Sequence, residues 1–205
     1  MKLRIPFLVL FSLFFASCDR KADPVNIKPD EKTVPGKHET ITLGGGCYWC
    51  VEAVFQQLDG VISSTSGFMG GHIPDPSYEE VCEGTTGHIE VIQVVYDPAI
   101  ISTETIVEWF WNAHDPTNPL GQGADIGERY TSNIFYHHEE QKKIAEASKA
   151  AAQKQFGKPI ATTIREAETF YKAMESHQDY YSLNKDKNPY CQIITKKLKK
   201  LELEY

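Results

Sequence analysis

Thr40-Ile41-Thr42-Leu43-Gly44-Gly45-Gly46-Cys47-Tyr48-Trp49-Cys50 is the stretch from which the rest of the chain can be read. Thr40 to Leu43 form a short β-rich segment. Cys47, Cys50, Val51, Val54, Phe55 and Leu58 then recur at i, i+3, i+4, i+7, i+8 and i+11. Those intervals lie on one face of a helix, and Gly60 stands where a C-terminal stop is expected. A strand therefore hands over to a helix through three glycines, which let the backbone approach a ligand closely. Cys47 falls at the helix N-terminus, where unpaired N–H groups favour an anion. Its thiol is expected to ionise readily and to act as a nucleophile. Most free cysteines are small buried hydrophobes; here the glycines and the two aromatics after the thiol favour the reactive reading.

Upstream, Lys2 and Arg4 precede an apolar stretch from Ile5 to Phe15, too short to span a membrane and suited to the core of a signal peptide. It runs into Phe15-Ala16-Ser17-Cys18, which resembles a bacterial lipoprotein signal with Cys18 as the lipidated residue. The expectation is a signal peptide over 1–17, a flexible tether over 18–38 carrying Pro24, Pro29 and Pro35 among polar residues, and a folded domain over 39–205. That places the domain in the cell envelope, held to a bacterial membrane by lipid alone. Ordinary secretion, with cleavage after the small residues, is the alternative, and it too leads out of the cytoplasm.

The remaining chain is one domain's worth. Net charge is −7 over the full sequence and more negative once Lys2 and Arg4 are removed, which argues against a nucleic-acid partner. Lys196-Lys197-Leu198-Lys199-Lys200 is short and followed by Glu202 and Glu204, so it reads as a solvated helix face. With Cys18 assigned to lipid, Cys47, Cys50, Cys82 and Cys191 remain. Outside the cytoplasm such an even set can mean structural disulfides, yet Cys47-x-x-Cys50 is also a redox spacing. Zinc would need two further ligands at similar spacing, and His137, His138 and His177 lack that pattern. No metal is expected.

Further along, Val61 to Ser66 reads as a strand ending at Gly67. His88 to Tyr96 is apolar on both faces, as in a central strand. Thr103 to Ala113 is helical with Ser102 as N-cap, Arg129 to Tyr136 a strand, and His138 to Phe156 a long helix closed by Gly157 and Pro159. Ile160 to Ile164 reads as a last strand and Ala167 to Tyr181 as helical. Long crossovers between strands imply helices packed on a mixed sheet. Glu90 shares a strand face with Ile92 and Val94, so it either points into an apolar surface or escapes to solvent at the strand's beginning. If buried, its carboxyl pKa would rise, making a general acid available near neutrality.

Taken in order, these residues resemble a family. Gly45-Gly46-Cys47-Tyr48-Trp49-Cys50 is similar to the GCFWG or GCFWC signature of the A-type peptide methionine sulfoxide reductases. So are Ser77-Tyr78-Glu79-Glu80-Val81-Cys82, Gly84-Thr85-Thr86-Gly87-His88-Ile89-Glu90, Tyr96-Asp97-Pro98 and His114-Asp115-Pro116-Thr117. Gln122-Gly123-Ala124-Asp125-Ile126-Gly127 with Tyr130 and Ser132, Phe170-Tyr171, His177-Gln178-Asp179-Tyr180 and Pro189-Tyr190-Cys191 complete the series. The resemblance runs from about Thr40 to Leu198. Tyr48 replaces the commoner Phe, Thr131 an Arg common after the site tyrosine, and Lys172, Met174 and Ser176 replace Pro, Glu and Tyr.

The resemblance implies an α+β fold, a two-layer ferredoxin-like α/β sandwich, with 39–205 as the catalytic domain. It implies reduction of methionine (S)-sulfoxide, in proteins and as the free amino acid, repairing oxidative damage. Cys47 would attack the sulfoxide sulfur, Glu90 would protonate its oxygen, and Tyr78 and Tyr130 would hydrogen-bond that oxygen. Asp125 matches a site acid, and Tyr48 and Trp49 would wall a methyl pocket. The resulting Cys47 sulfenic acid is resolved by a second thiol. Cys191, expected in a mobile tail, corresponds to the usual resolving residue and is favoured over Cys50, because i and i+3 positions on one regular helix turn are poorly placed for a disulfide. Cys50 would then shuttle the disulfide or stay a spectator, and Cys82 is expected to be buried structure. The implied partners are oxidised proteins and peptides and a thioredoxin-like reductant, with no bound cofactor and a monomeric protein. The rival reading is a thioredoxin-type thiol–disulfide oxidoreductase using Cys47 and Cys50, which would have no need of Glu90, Tyr78 or Tyr130; a catalytically dead binding protein for oxidised peptides is a further one.

Overall fold

The computed structural model describes residues 38–205. The signal-peptide and lipidation expectations, Cys18 included, fall on residues outside that range, as does all of the tether but His38. Strands β1 (Glu39–Gly44), β2 (Val61–Met69), β3 (Ile89–Tyr96), β6 (Asn133–Tyr136), β7 (Thr163–Glu166) and β8 (Tyr171–Lys172) form one sheet. Its order is β7-β6-β1-β3-β2-β8. β6 and β7 run parallel; the other pairs are antiparallel. β4 (Gly121–Gln122) and β5 (Asp125–Ile126) make a small separate hairpin. The helices are α1 (Tyr48–Phe55), α2 (Tyr78–Glu83), α3 (Thr103–Ala113), α4 (Glu139–Ala152), α5 (Tyr180–Asn184) and α6 (Cys191–Lys200). The fold is α+β, a mixed sheet with helices packed on it.

β3 is central, and its alternation builds two cores. Ile92, Val94 and Tyr96 join α1 and α3 in the larger cluster, while Ile89 and Val91 pack with Met69, Phe135 and Phe170 on the other face. Pleating makes this division obligatory, because successive side chains point to opposite faces. Ser102 caps α3 as expected, its hydroxyl accepting from the Thr105 N–H at 3.2 Å.

Four expectations need correction. β2 continues through Gly67 instead of ending there, because a Cβ at that position would collide with the Phe170 ring and the Tyr171 carbonyl. Glycine thus lets β8 and Phe170 close over the strand. The strand expected from Arg129 begins at Asn133; Glu128–Tyr130 is a 3-10 turn. The strand expected over 160–164 lies at Thr163–Glu166. Ala167 to Tyr181 is not a helix. It supplies β8 and a 3-10 turn, and α5 starts only at Tyr180. There, sheet pairing to Gly67 and Phe68 overrides local helical preference. Sequence reading also passed over α2, although Ser77-x-x-Glu80 forms a capping box at its start.

Candidate active site

Cys47 is the N-cap of α1 and has extended backbone, φ −56° and ψ 125°. Gly46 before it takes φ +91°, and a Cβ there would strike the Gln122 side chain, so the turn into the helix needs glycine. Cys47 is 7% exposed, and Cys50, one turn on, is also buried. The two thiols interact as a coupled pair: the Cys50 thiol, with burial, raises the Cys47 pKa, and the same interaction lowers that of Cys50. The titration belongs to the pair, because each charge penalises the other.

Glu90 lies on the helix-facing side of β3 and is buried, which decides between the two readings its periodicity allowed. Its Oε2 accepts from the Tyr48 N–H at 3.2 Å. The carboxyl thus meets the free donors at the start of α1, one residue from the thiol. Burial pushes its pKa up to about 8, against the lowering effects of that hydrogen bond and of Arg129. Glu90 is mostly protonated at neutral pH. Tyr78 opens α2 and Tyr130 ends the 3-10 turn. Burial raises both phenols, and the Glu90 charge adds to the rise in each, so the three groups share one neighbourhood.

Asp125, on β5, accepts through Oδ2 from the Tyr190 hydroxyl at 2.9 Å, and that hydroxyl lies 3.9 Å from Cys50 Sγ. Tyr48 is fully buried. Its ring tilts against Phe68, and its hydroxyl sits 2.6 Å from His177 Nδ1. Trp49 donates from Nε1 to the His177 carbonyl at 3.1 Å and stacks on Tyr180 with centroids 3.7 Å apart.

Cys191 is corrected in place, though not in neighbourhood. It is the first residue of α6 and wholly buried, with Ile194 and Leu198 on the same buried face. It is not part of a mobile tail. Burial raises its thiol pKa, Cys50 adds to the rise, and α6 packs on α1, which carries Cys50. The geometric objection to a Cys47–Cys50 bridge also falls, since Cys47 lies outside the regular helix. Cys82 is half-buried and its carbonyl accepts from Arg129 Nη1 at 2.8 Å, so it is not the buried core residue expected.

Three contributors escaped the sequence reading. Tyr190 bridges Asp125 and the thiols. Glu52 Oε1 accepts from the Ser66 hydroxyl at 2.9 Å and its Oε2 from the Tyr180 N–H at 3.3 Å, with burial raising its pKa to about 7. Arg129 flanks Tyr130. The available signal for Glu52 was an acid inside a short, almost wholly buried helix.

A buried, interacting cysteine pair at a helix N-terminus, faced by a protonated carboxyl and two phenols, defines a thiol-dependent oxidoreductase. The family described as peptide methionine sulfoxide reductase matches residues 39–204. A peptide methionine sulfoxide reductase MsrA of Saccharolobus solfataricus is 49% identical over 163 residues, covering 79% of this chain and 92% of that protein. The reduced form of Mxr1 from Saccharomyces cerevisiae superposes with a TM-score of 0.72 at 34% identity, over 76% of this chain and 90% of that one. Mxr1 in complex with Trx2 gives 0.52 at 28% identity, over 73% and 91%. The chain belongs to the peptide methionine sulfoxide reductase family.

Proposed function

We propose that this member of the family reduces methionine (S)-sulfoxide, in peptides and as the free amino acid, by a division of labour among the residues above. Loss of its proton generates the Cys47 thiolate. Its sulfur attacks the sulfoxide sulfur while Glu90 gives its proton to the sulfoxide oxygen, held by Tyr78 and Tyr130. The new Cys47–sulfur bond and the substrate S–O bond then break as the protonated oxygen bonds to Cys47, so that methionine leaves and Cys47 becomes a sulfenic acid. Cys50 attacks that sulfur, water departs, and a Cys47–Cys50 disulfide remains. Cys191 then exchanges onto Cys50, returning Cys47 as a thiol. The observation that carries the reading is the Glu90 carboxyl, buried, with its pKa raised by that burial, and bonded to the backbone beside Cys47.

The order Cys50 then Cys191 is supported by the position of Cys50 one turn from Cys47 and by the burial of Cys191 at the start of α6, which packs on α1. A thioredoxin-like dithiol would reduce the final disulfide, a reading supported by the solved complex of Mxr1 with Trx2. No bound cofactor takes part in this scheme, and the protein acts as a monomer. We further infer a lipid-tethered envelope location, on the strength of Phe15-Ala16-Ser17-Cys18.

The test is to incubate the protein with dithiothreitol and each epimer of a methionine sulfoxide peptide and to follow methionine. Methionine from the S epimer alone supports the reading. Reduction of a model disulfide with neither epimer consumed would overturn it in favour of a thioredoxin-type enzyme.

A further inference from the structure

We infer that Arg129 is the positioning residue of the oxygen-handling end of this site: it ties Tyr78 and Tyr130 into one unit and sets a fixed positive charge against Glu90. The inference rests on the roles proposed above for those three residues and adds one that neither the family signature nor the spacing supplied.

Arg129 sits in the 3-10 turn Glu128–Tyr130, between β5 and β6. Its guanidinium carbon lies 4.5 Å from the centroid of the Tyr130 ring, within cation–π reach. The same guanidinium reaches the other way, donating from Nη1 to the Cys82 carbonyl at 2.8 Å. Cys82 is in the last turn of α2, whose first residue is Tyr78. Last-turn carbonyls lack intrahelical partners and carry the negative end of the helix dipole, so a cation is doubly suited there. α2 has only six residues, so gripping its C-terminus leaves Tyr78 little freedom. One planar side chain thus spans the two elements that carry the tyrosines. Lysine has neither the fork nor the stacking face for this.

The second part of the role is electrostatic, because the turn that carries Arg129 packs against β3, the strand that carries Glu90. The groups bearing on Glu90 are Cys47, Cys50 and Tyr48 from α1, Tyr78 from α2, Asp125 from β5, and Tyr130 and Arg129 from the turn. Asp125 and the thiols push the carboxyl toward its neutral form, and Arg129 opposes them. Arg129 Nε is buried and has no acceptor among the described residues. An unmet buried donor of that kind is unfavourable, so this placement does not serve the arginine's own satisfaction.

The experiment is single-turnover methionine formation from an S-sulfoxide peptide, across pH, by the full chain and by its Arg129→Met and Arg129→Lys variants. Arg129→Met should lower the plateau rate by roughly 10–100-fold, the scale expected when site groups are misplaced by about 1 Å. It should also move the alkaline limb to higher pH, because Glu90 without its cation keeps its proton longer. Arg129→Lys should return the limb to the parental pH and leave the plateau low. A limb that stays in place in Arg129→Met, or a plateau equal to the parent's, overturns the inference. So does full parental behaviour of Arg129→Lys, and that variant alone decides if Arg129→Met does not fold. A parent that forms no methionine sinks the catalytic reading itself, and this inference with it; normal parental turnover with unaffected variants sinks the Arg129 role alone.

Discussion

Glu90→Gln removes one titratable proton from the interior and changes little in shape. The Tyr48 N–H can donate to an amide oxygen as it does to Oε2. In the parent, the carboxyl pKa is raised to about 8 by burial, against ~4.3 for an unfolded glutamate. A raised carboxyl contributes its stability fully below the unfolded value and loses it as pH climbs toward the folded value. Linkage puts that loss at about 3 kcal/mol near neutral pH and about 5 kcal/mol above the folded pKa. Glutamine is neutral throughout and carries no such dependence. Relative to the parent, the variant should therefore gain stability steadily between about pH 5 and pH 8. At ~2–4 °C per kcal/mol for a domain of this size, that is roughly 6–12 °C in Tm near neutrality. Single-turnover methionine formation should meanwhile fall by ~10²–10⁴, the range of general acid catalysis. Thermal unfolding of both proteins across pH reads the first effect and rapid quench the second. Tm curves that run parallel over the whole range would refute the burial argument. A parental single-turnover rate would refute the proton donor.

In the redox sequence, Cys191→Ser should accumulate a Cys47–Cys50 disulfide after one equivalent of sulfoxide, mapped by alkylation and mass spectrometry; a Cys47–Cys191 link as the earliest bridge in the parent would reverse the proposed order. His114 and His137 are pushed down to about 4 by burial, so the stability they confer is present above the ordinary histidine value and lost as pH falls through it. His137→Gln should flatten that acid limb by up to about 3 kcal/mol, read as Tm against pH, and an unaltered slope would count against it. Gly67→Ala should cost about 1–3 kcal/mol by overpacking against Phe170 and the Tyr171 carbonyl. An unchanged urea midpoint would show that β8 yields there.

Read alone, the sequence determined the strand–glycine–helix handover at Cys47, the two-faced central strand carrying Glu90, and the α+β class. These are local matters, set by side-chain period, glycine and capping residues acting over one or two turns. It also placed the chain in its family, because motifs in a conserved order survive without coordinates. Only tertiary structure decided which way Glu90 faces its environment, since periodicity alone does not say whether the start of a strand is covered. It turned 167–181 into an edge strand and turn, because pairing with Gly67 and Phe68 outweighs helical propensity. It buried Cys191 in α6, which packs on the helix that carries Cys50, and it made Cys47 and Cys50 titrate as one pair. Acidity in a buried pair depends on who donates to whom, and Tyr190, Asp125 and Arg129 reach the site from distant stretches of chain. Contacts of that kind have no period and no spacing, so they exist only once the fold has closed.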